Sequence, residues 1–180
     1  IADAAALRSG ADLKRRDFIR LATASGLATV ATEIPSAESP RPKVCTYTEH
    51  FQELPIPEVC QVFKRIGVDG LDLTVRPGGH IEPQNAPVEL PKAVKAARDH
   101  GLEIMMLTTG ITAPDRNAEA IVATCQKFNI ERIKLGYFSV GKFGNLARRL
   151  DDVRRRLDAV IKLTTKYGVR PCVHVHSGAT

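Results

Sequence analysis

Gly67-Val-Asp-Gly-Leu-Asp-Leu-Thr-Val-Arg-Pro-Gly-Gly-His-Ile-Glu-Pro83 is the stretch that decides the fold. Its first glycine ends whatever precedes it. Leu71, Leu73 and Val75 then alternate with Asp72, Thr74 and Arg76, the period-2 pattern of a short strand. Pro77-Gly78-Gly79 cannot continue that strand, and the turn presents His80 and Glu82. One face of the strand is apolar. The other carries an acid, a hydroxyl and a guanidinium, with an imidazole at the exit. A parallel strand buried on both faces usually reads as an unbroken apolar run, so polar groups on one face point to a site at its C-terminal end. A solvated edge strand with a loop histidine would read the same way in isolation. The recurrence of the layout along the chain favours the site.

Working outward, the chain alternates between the two periods. Lys43–Thr48 reads as a strand leading to Glu49 and His50. Pro57 opens a helix with Val59, Val62, Phe63 and Ile66 on one face, ended by Gly67. After the quoted strand, Pro91 starts a second helix that Gly101 ends. Leu102–Thr109 reads as a third strand. Asp115 or Asn117 caps a third helix, with Ile121, Val122, Cys125 and Phe128 inward. A fourth strand lies within Ile130–Phe138. A long helix runs from about Asn145 to Tyr167, with Leu146, Leu150, Val153, Leu157, Val160, Ile161 and Thr164 as its apolar stripe. Val169–His176 reads as a fifth strand. Strands and helices in strict alternation make a parallel sheet with helices packed outside it.

Two closures compete. An open doubly wound sheet that binds a dinucleotide should carry a glycine-rich turn after its first strand. The turn from Glu49 to Pro57 has no glycine. Polar residues at most strand ends suit a (β/α)8 TIM barrel, whose site is built from those ends. A barrel needs eight strands and five are legible, so residues 43–180 are expected to be the N-terminal part of a TIM barrel, inactive by itself.

Composition bounds the function classes. The 180 residues are 43% hydrophobic and 26% charged, ordinary for a globular chain, with a formal charge of +6. That excess suits an anionic substrate and is too small to call for nucleic acid. The absence of tryptophan leaves no evident base-stacking platform. The basic residues of the long helix are interspersed with Asp151, Asp152 and Asp158, as on a solvated face. Four cysteines show neither CxxC nor metal-finger spacing and sit in apolar patterns, so buried free thiols are expected.

Residues 1–42 read differently. Arg15-Arg16-Asp17-Phe18-Ile19-Arg20 precedes the weakly apolar Leu21–Ala31, the layout of an export signal. The paired arginines with Phe18 resemble the twin-arginine signal of bacteria. Periplasmic or exported delivery is the expectation, with cleavage after Ala31 or Ala37 and a proline-bearing linker from Glu38 to Pro42.

The chemistry should lie where the strand ends meet. These offer Thr48, Glu49 and His50; Arg76 and His80; Thr108 and Thr109; Lys134 and Tyr137; His174, His176 and Ser177. On the fifth strand, Cys172, His174 and His176 would share one face. Two imidazoles one strand repeat apart can converge on a metal or a substrate oxygen. His100, by contrast, sits at a helix end, where the dipole favours it without chemistry.

From Val44 to Gly178 the sequence resembles the sugar phosphate isomerase/epimerase superfamily, the xylose-isomerase-like TIM barrels. The resemblance is carried by Val68–His80, by Gly101-Leu-Glu-Ile ahead of strand three, and by Val169–Ser177. It implies a divalent metal (Mn, Mg, Co or Zn) and proton transfer beside a carbonyl on a small-molecule sugar or sugar phosphate. Epimerases of the superfamily place a metal-binding Glu near the end of strand five, and His174 stands at that position here. On this resemblance His174 is the expected metal ligand or base, with the other ligands on later strands. His50, Arg76, His80, Lys134 and His176 would hold substrate oxygens. A non-catalytic exported carbohydrate-binding barrel is the alternative of a different class. A metal-dependent endonuclease of the same barrel superfamily ranks below it. No nucleic acid and no membrane contact beyond export are expected; an oligomer is compatible with the sequence.

Overall fold

The computed structural model describes residues 41–138 and 145–175. The export-signal reading at Arg15 and Arg16, its linker up to residue 40, and His176 and Ser177 lie outside the described residues. Within them, five strands alternate with four α-helices: β1 Cys45–Tyr47, α1 Ile56–Ile66, β2 Gly70–Val75, α2 Ala86–Asp99, β3 Glu103–Thr109, α3 Arg116–Phe128, β4 Arg132–Lys134, α4 Leu146–Lys166 and β5 Arg170–Cys172. Short 3₁₀ turns at Thr48–Phe51 and Pro83–Asn85 follow β1 and precede α2.

Every strand pairing is parallel, and the sheet order is β1-β2-β3-β4-β5. A doubly wound sheet reverses direction after its first strand. This one never does. Each crossover moves one strand further the same way, so the helices fall on one face and the polar strand ends on the other.

That division is visible in β2. Leu71, Leu73 and Val75 are fully buried and belong to the apolar core with Leu107, Ile133 and the inward faces of α1, α2 and α3. Asp72 and Thr74 alternate with them and are buried too. The core is therefore laid down by the same alternation that the sequence shows. Phe63 of α1 is the largest fully buried side chain and meets Phe51 edge to face, with ring centroids 5.4 Å apart. This contact ties the 3₁₀ turn after β1 to the helix layer. Gly67 ends α1 in the left-handed region at φ 79°, where its N–H reaches back to Lys64 O and Phe63 O.

The elements depart from their sequence readings in four places. Helix α2 begins at Ala86, five residues before Pro91, because the turn Pro83–Asn85 feeds it and Pro87 occupies its first turn. Pro91 is thus an interior proline that removes one backbone bond of the second turn. Strand β5 stops at Cys172, so His174 follows the strand rather than standing on it. Ile66 of α1 is largely exposed, as are Leu146, Leu150 and Ile161 of α4. Only Val160 and Thr164 of the α4 stripe are fully covered. Of the four free thiols, Cys60 and Cys125 are buried, and burial pushes them up to about 11 and about 12; Cys45 and Cys172 are half-buried.

The basic face of α4 is laced to its own acids. Arg154 pairs with Asp151, and Arg155 and Arg156 pair with Asp152. Helix α3 is capped by Asp115, whose Oδ1 accepts from Ala118 N at 2.7 Å. Asp115→Ala should therefore lower stability by about 1 kcal/mol, measured as a shift in the urea midpoint. An unchanged midpoint would remove the cap from the account of this helix.

Candidate functional site

The polar strand ends enclose a cleft of about 880 Å³. Its floor comes from the strands: Asp72 of β2, Met106 and Thr108 of β3, Lys134 of β4 and Cys172 of β5. Parallel register sets this floor, since Thr108 lies opposite Lys134 and Lys134 opposite Cys172. The mouth comes from the segments after the strands: Glu49 and His50, Arg76, Tyr137, and Val173 and His174.

Two charged groups lie deep in the cleft. Asp72 is 9% exposed and Lys134 is 8% exposed. The Thr108 hydroxyl donates to the Asp72 carboxylate, 2.9 Å from Oδ1 and 3.0 Å from Oδ2. Burial pushes the Asp72 carboxyl above its ordinary value, and the Thr108 hydrogen bond and the Lys134 charge only partly offset this. The Lys134 ammonium rests over the ring of Tyr137, 4.0 Å from its centroid. Among the described residues it makes no salt bridge.

At the mouth, Arg76 pairs with Glu49, which also accepts from the Tyr47 hydroxyl. Arg76 Nε is buried without a hydrogen-bond partner among the described residues. Burying an N–H in this way costs about 1–3 kcal/mol unless a ligand oxygen meets it. His50 is exposed and stands edge-on to Tyr47, at 6.0 Å between ring centroids.

Of the residues expected from sequence to build the site, His50, Arg76, Lys134 and His174 all line this cleft. His80 does not. Its ring faces a separate depression beside Leu54 and Pro55. Both ring nitrogens are engaged, Nδ1 with Thr74 Oγ1 and Nε2 with Phe51 O, each at 3.1 Å. A carbonyl can only accept, so Nε2 carries the proton and Nδ1 accepts from Thr74. Thr74 Oγ1 also receives the His80 backbone N–H, and Thr48 Oγ1 receives the Thr74 N–H. This is a strand-to-turn clamp built around a neutral imidazole. The turn Pro77-Gly78-Gly79 folds the histidine back onto its own strand instead of presenting it to the cleft.

The clamp has a pH signature. Burial lowers the His80 pKa below its ordinary value of 6.5. Between the lowered folded value and 6.5 the unfolded chain binds more protons, so stability is full above 6.5 and declines as pH falls through that window. His80→Gln should flatten the acid limb of a thermal-melt pH series. An acid limb of the same slope in that variant would assign the decline to other groups.

Sequence reading placed Asp72 on the polar face of its strand but gave it no role of its own. The signal was present: a carboxylate in the middle of a strand that is otherwise buried. Thr108 was legible as a strand end but not as the group that holds Asp72. Among the described residues no three His, Cys, Asp or Glu side chains group as a metal site. No protein-family model matches the chain, and comparison with curated proteins finds no match.

Proposed function

We propose that the chain is part of a (β/α)8 barrel enzyme that moves a proton beside a carbonyl on a small sugar or sugar derivative, as an isomerase or epimerase does. The observation that carries this reading is the presence of a buried carboxylate, Asp72, and a buried ammonium, Lys134, on the floor of one cleft. Buried charges of this kind are expensive to keep and cluster where chemistry is done. A carboxyl with a raised pKa is better matched to proton transfer near neutrality than an ordinary one. The unpartnered Arg76 N–H at the mouth suits an oxygen-rich ligand.

Sequential parallel order supports the barrel. So do the uncovered Leu146 and Leu150 of α4 and Val173 after β5, apolar surface that further barrel elements would bury. The signal-like segment from Arg15 to Ala31 supports an exported enzyme. The divalent metal expected from the family resemblance finds no grouped ligands among the described residues. A non-catalytic sugar-binding barrel would need the cleft but not the buried acid.

The test is to incubate the full-length barrel protein, of which this chain is proposed to be part, in D2O with ketoses, aldoses and their phosphates. Deuterium should enter at a carbon next to the carbonyl, read by NMR. Sugar binding without any exchange would leave the binder as the correct description.

A further inference from the structure

We propose that Lys134 is a covalent carbonyl-binding residue, its Nζ forming an imine with the substrate while Asp72 carries the proton at the adjacent carbon. The inference rests on the proton-transfer reading and supplies its electron sink.

Three observations carry it. First, Lys134 ends β4 inside the cleft and is 8% exposed, yet it forms no salt bridge among the described residues. Lysines are almost never buried to this degree without a charged partner; here the Asp72 carboxylate is near enough to feel the Lys134 charge but forms no ion pair with it. A structural lysine would be expected to reach a carboxylate, and one that faces a cleft from a buried position suits nucleophilic use. Second, the Tyr137 ring lies 4.0 Å from Nζ and fixes the ammonium over an aromatic face. The head is thus held by an aromatic face rather than by a carboxylate in contact with it. Third, the acid that shares this floor is already engaged. Thr108 holds both Asp72 oxygens, which fixes the carboxylate on the neighbouring strands instead of letting it swing into a closed ion pair.

The step balances without an outside oxidant or reductant. The Lys134 ammonium first gives one proton to water, and the amine so formed adds to the carbonyl carbon. The C–N bond forms, the carbonyl π bond breaks, and the oxygen gains two protons, one from the nitrogen and one from water. Loss of that oxygen as water leaves the protonated imine. The Asp72 carboxylate then accepts the proton from the adjacent carbon, and the electron pair moves into the C–N unit to give an enamine. Return of the proton to either face, followed by addition of water, releases the sugar and restores the Lys134 ammonium. Burial pushes the Asp72 carboxyl up, which suits a group that must both take and return a proton.

The experiment is reductive trapping. The full-length barrel protein is incubated with dihydroxyacetone or glyceraldehyde and sodium cyanoborohydride, then examined by intact mass and peptide mapping. A single adduct at Lys134 is expected, formed at least tenfold faster than at surface lysines such as Lys162. Lys134→Arg should lose this adduct while Lys162→Arg keeps it, with circular dichroism melts confirming that both variants fold. If Lys134→Arg does not fold, the comparison of labelling rates at Lys134 and Lys162 in the unaltered protein decides alone. Labelling spread evenly over exposed lysines, or sparing Lys134, would overturn the imine. Deuterium exchange that persists in Lys134→Arg would overturn it too, while leaving proton transfer intact. A Lys134 adduct in a protein with no exchange on any sugar would uphold the imine and fail the proton-transfer reading instead.

Discussion

Asp72→Asn is expected to abolish proton exchange and, at the same time, to make the protein more stable. The two effects have one cause. Asp72 lies on the cleft floor between β1 and β3, held by the Thr108 hydroxyl, and burial raises its pKa. A carboxyl with a raised folded-state pKa binds its proton more tightly in the native chain than in the unfolded one. Between the unfolded value and the raised value the native state therefore holds more protons, and stability falls as pH rises through that window. Above it the loss is complete. At neutral pH the charged carboxylate is thus a net liability to the fold. Asparagine keeps the shape and a carbonyl oxygen for Thr108 while removing the charge, and should raise stability at pH 7 by on the order of 1 kcal/mol.

The same change removes the only group on the floor that the reading assigns to proton transfer. Loss of a positioned acid–base group lowers the rate by roughly 10²–10⁴-fold. Deuterium incorporation by NMR, and thermal melts at pH 3, below the ordinary carboxyl value, and at pH 8 read the two halves separately. The stability gain should be larger at pH 8. A variant that exchanges protons normally would move the chemistry to His50 or His174 at the mouth. A variant that is less stable at both pH values would show that the carboxylate serves the fold.

How far the sequence carried this picture follows from particular residues. The order of elements was legible because two periods alternate cleanly. Leu71, Leu73 and Val75 mark a strand, and Ile121, Val122 and Cys125 mark a helix face. The N-terminal end of α2 was not legible at Pro91, because a proline reads as a helix start and the true start lies under Pro87. The length of β5 was not legible either. Val173 and Val175 have the side chains of a strand, but they are 55% and 79% exposed, and β4 pairs with β5 only as far as Cys172. Pairing depends on the neighbour, which a local pattern does not contain.

The site divided in the same way. Lys134, Arg76, His50 and His174 come to line one cleft because residues at the ends of parallel strands lie at one end of the sheet. His80 was misplaced because the turn after β2 doubles back, with Ile81 bridging to Val75 and His80 hydrogen-bonded to Thr74. Asp72 escaped because its role rests on Thr108, whose position 36 residues along the chain is brought beside it only by strand pairing. Side chains that act through a partner on another strand are invisible to spacing along one.

Gly136→Ala should damage the site from outside it. Gly136 follows Lys134 by two residues and precedes Tyr137, the residue whose ring holds the Lys134 ammonium. Its N–H donates to Ile111 O at 2.9 Å, which ties the exit of β4 to the exit of β3. A Cβ at Gly136 would stand 2.6 Å from Gly110 O and 2.8 Å from Gly110 C. Those are backbone atoms that no rotamer change can withdraw. The two strand exits must therefore separate, and overpacking of this kind costs about 1–3 kcal/mol. The movement falls on the Lys134–Tyr137 pair, so the loss of activity should exceed what the stability change alone produces. Proton exchange measured well below the melting temperature, where the variant is still folded, should fall by about tenfold or more, since misplacement of a reacting group by an ångström costs rate steeply. Gly78→Ala provides the comparison. Gly78 has a positive φ of 69° but no atom within reach of an added Cβ, and it lies in the turn away from the cleft floor. It should lose stability through backbone strain and keep its exchange rate per folded molecule. Equal rates in the two variants would mean that the exits of β3 and β4 do not set the position of Lys134.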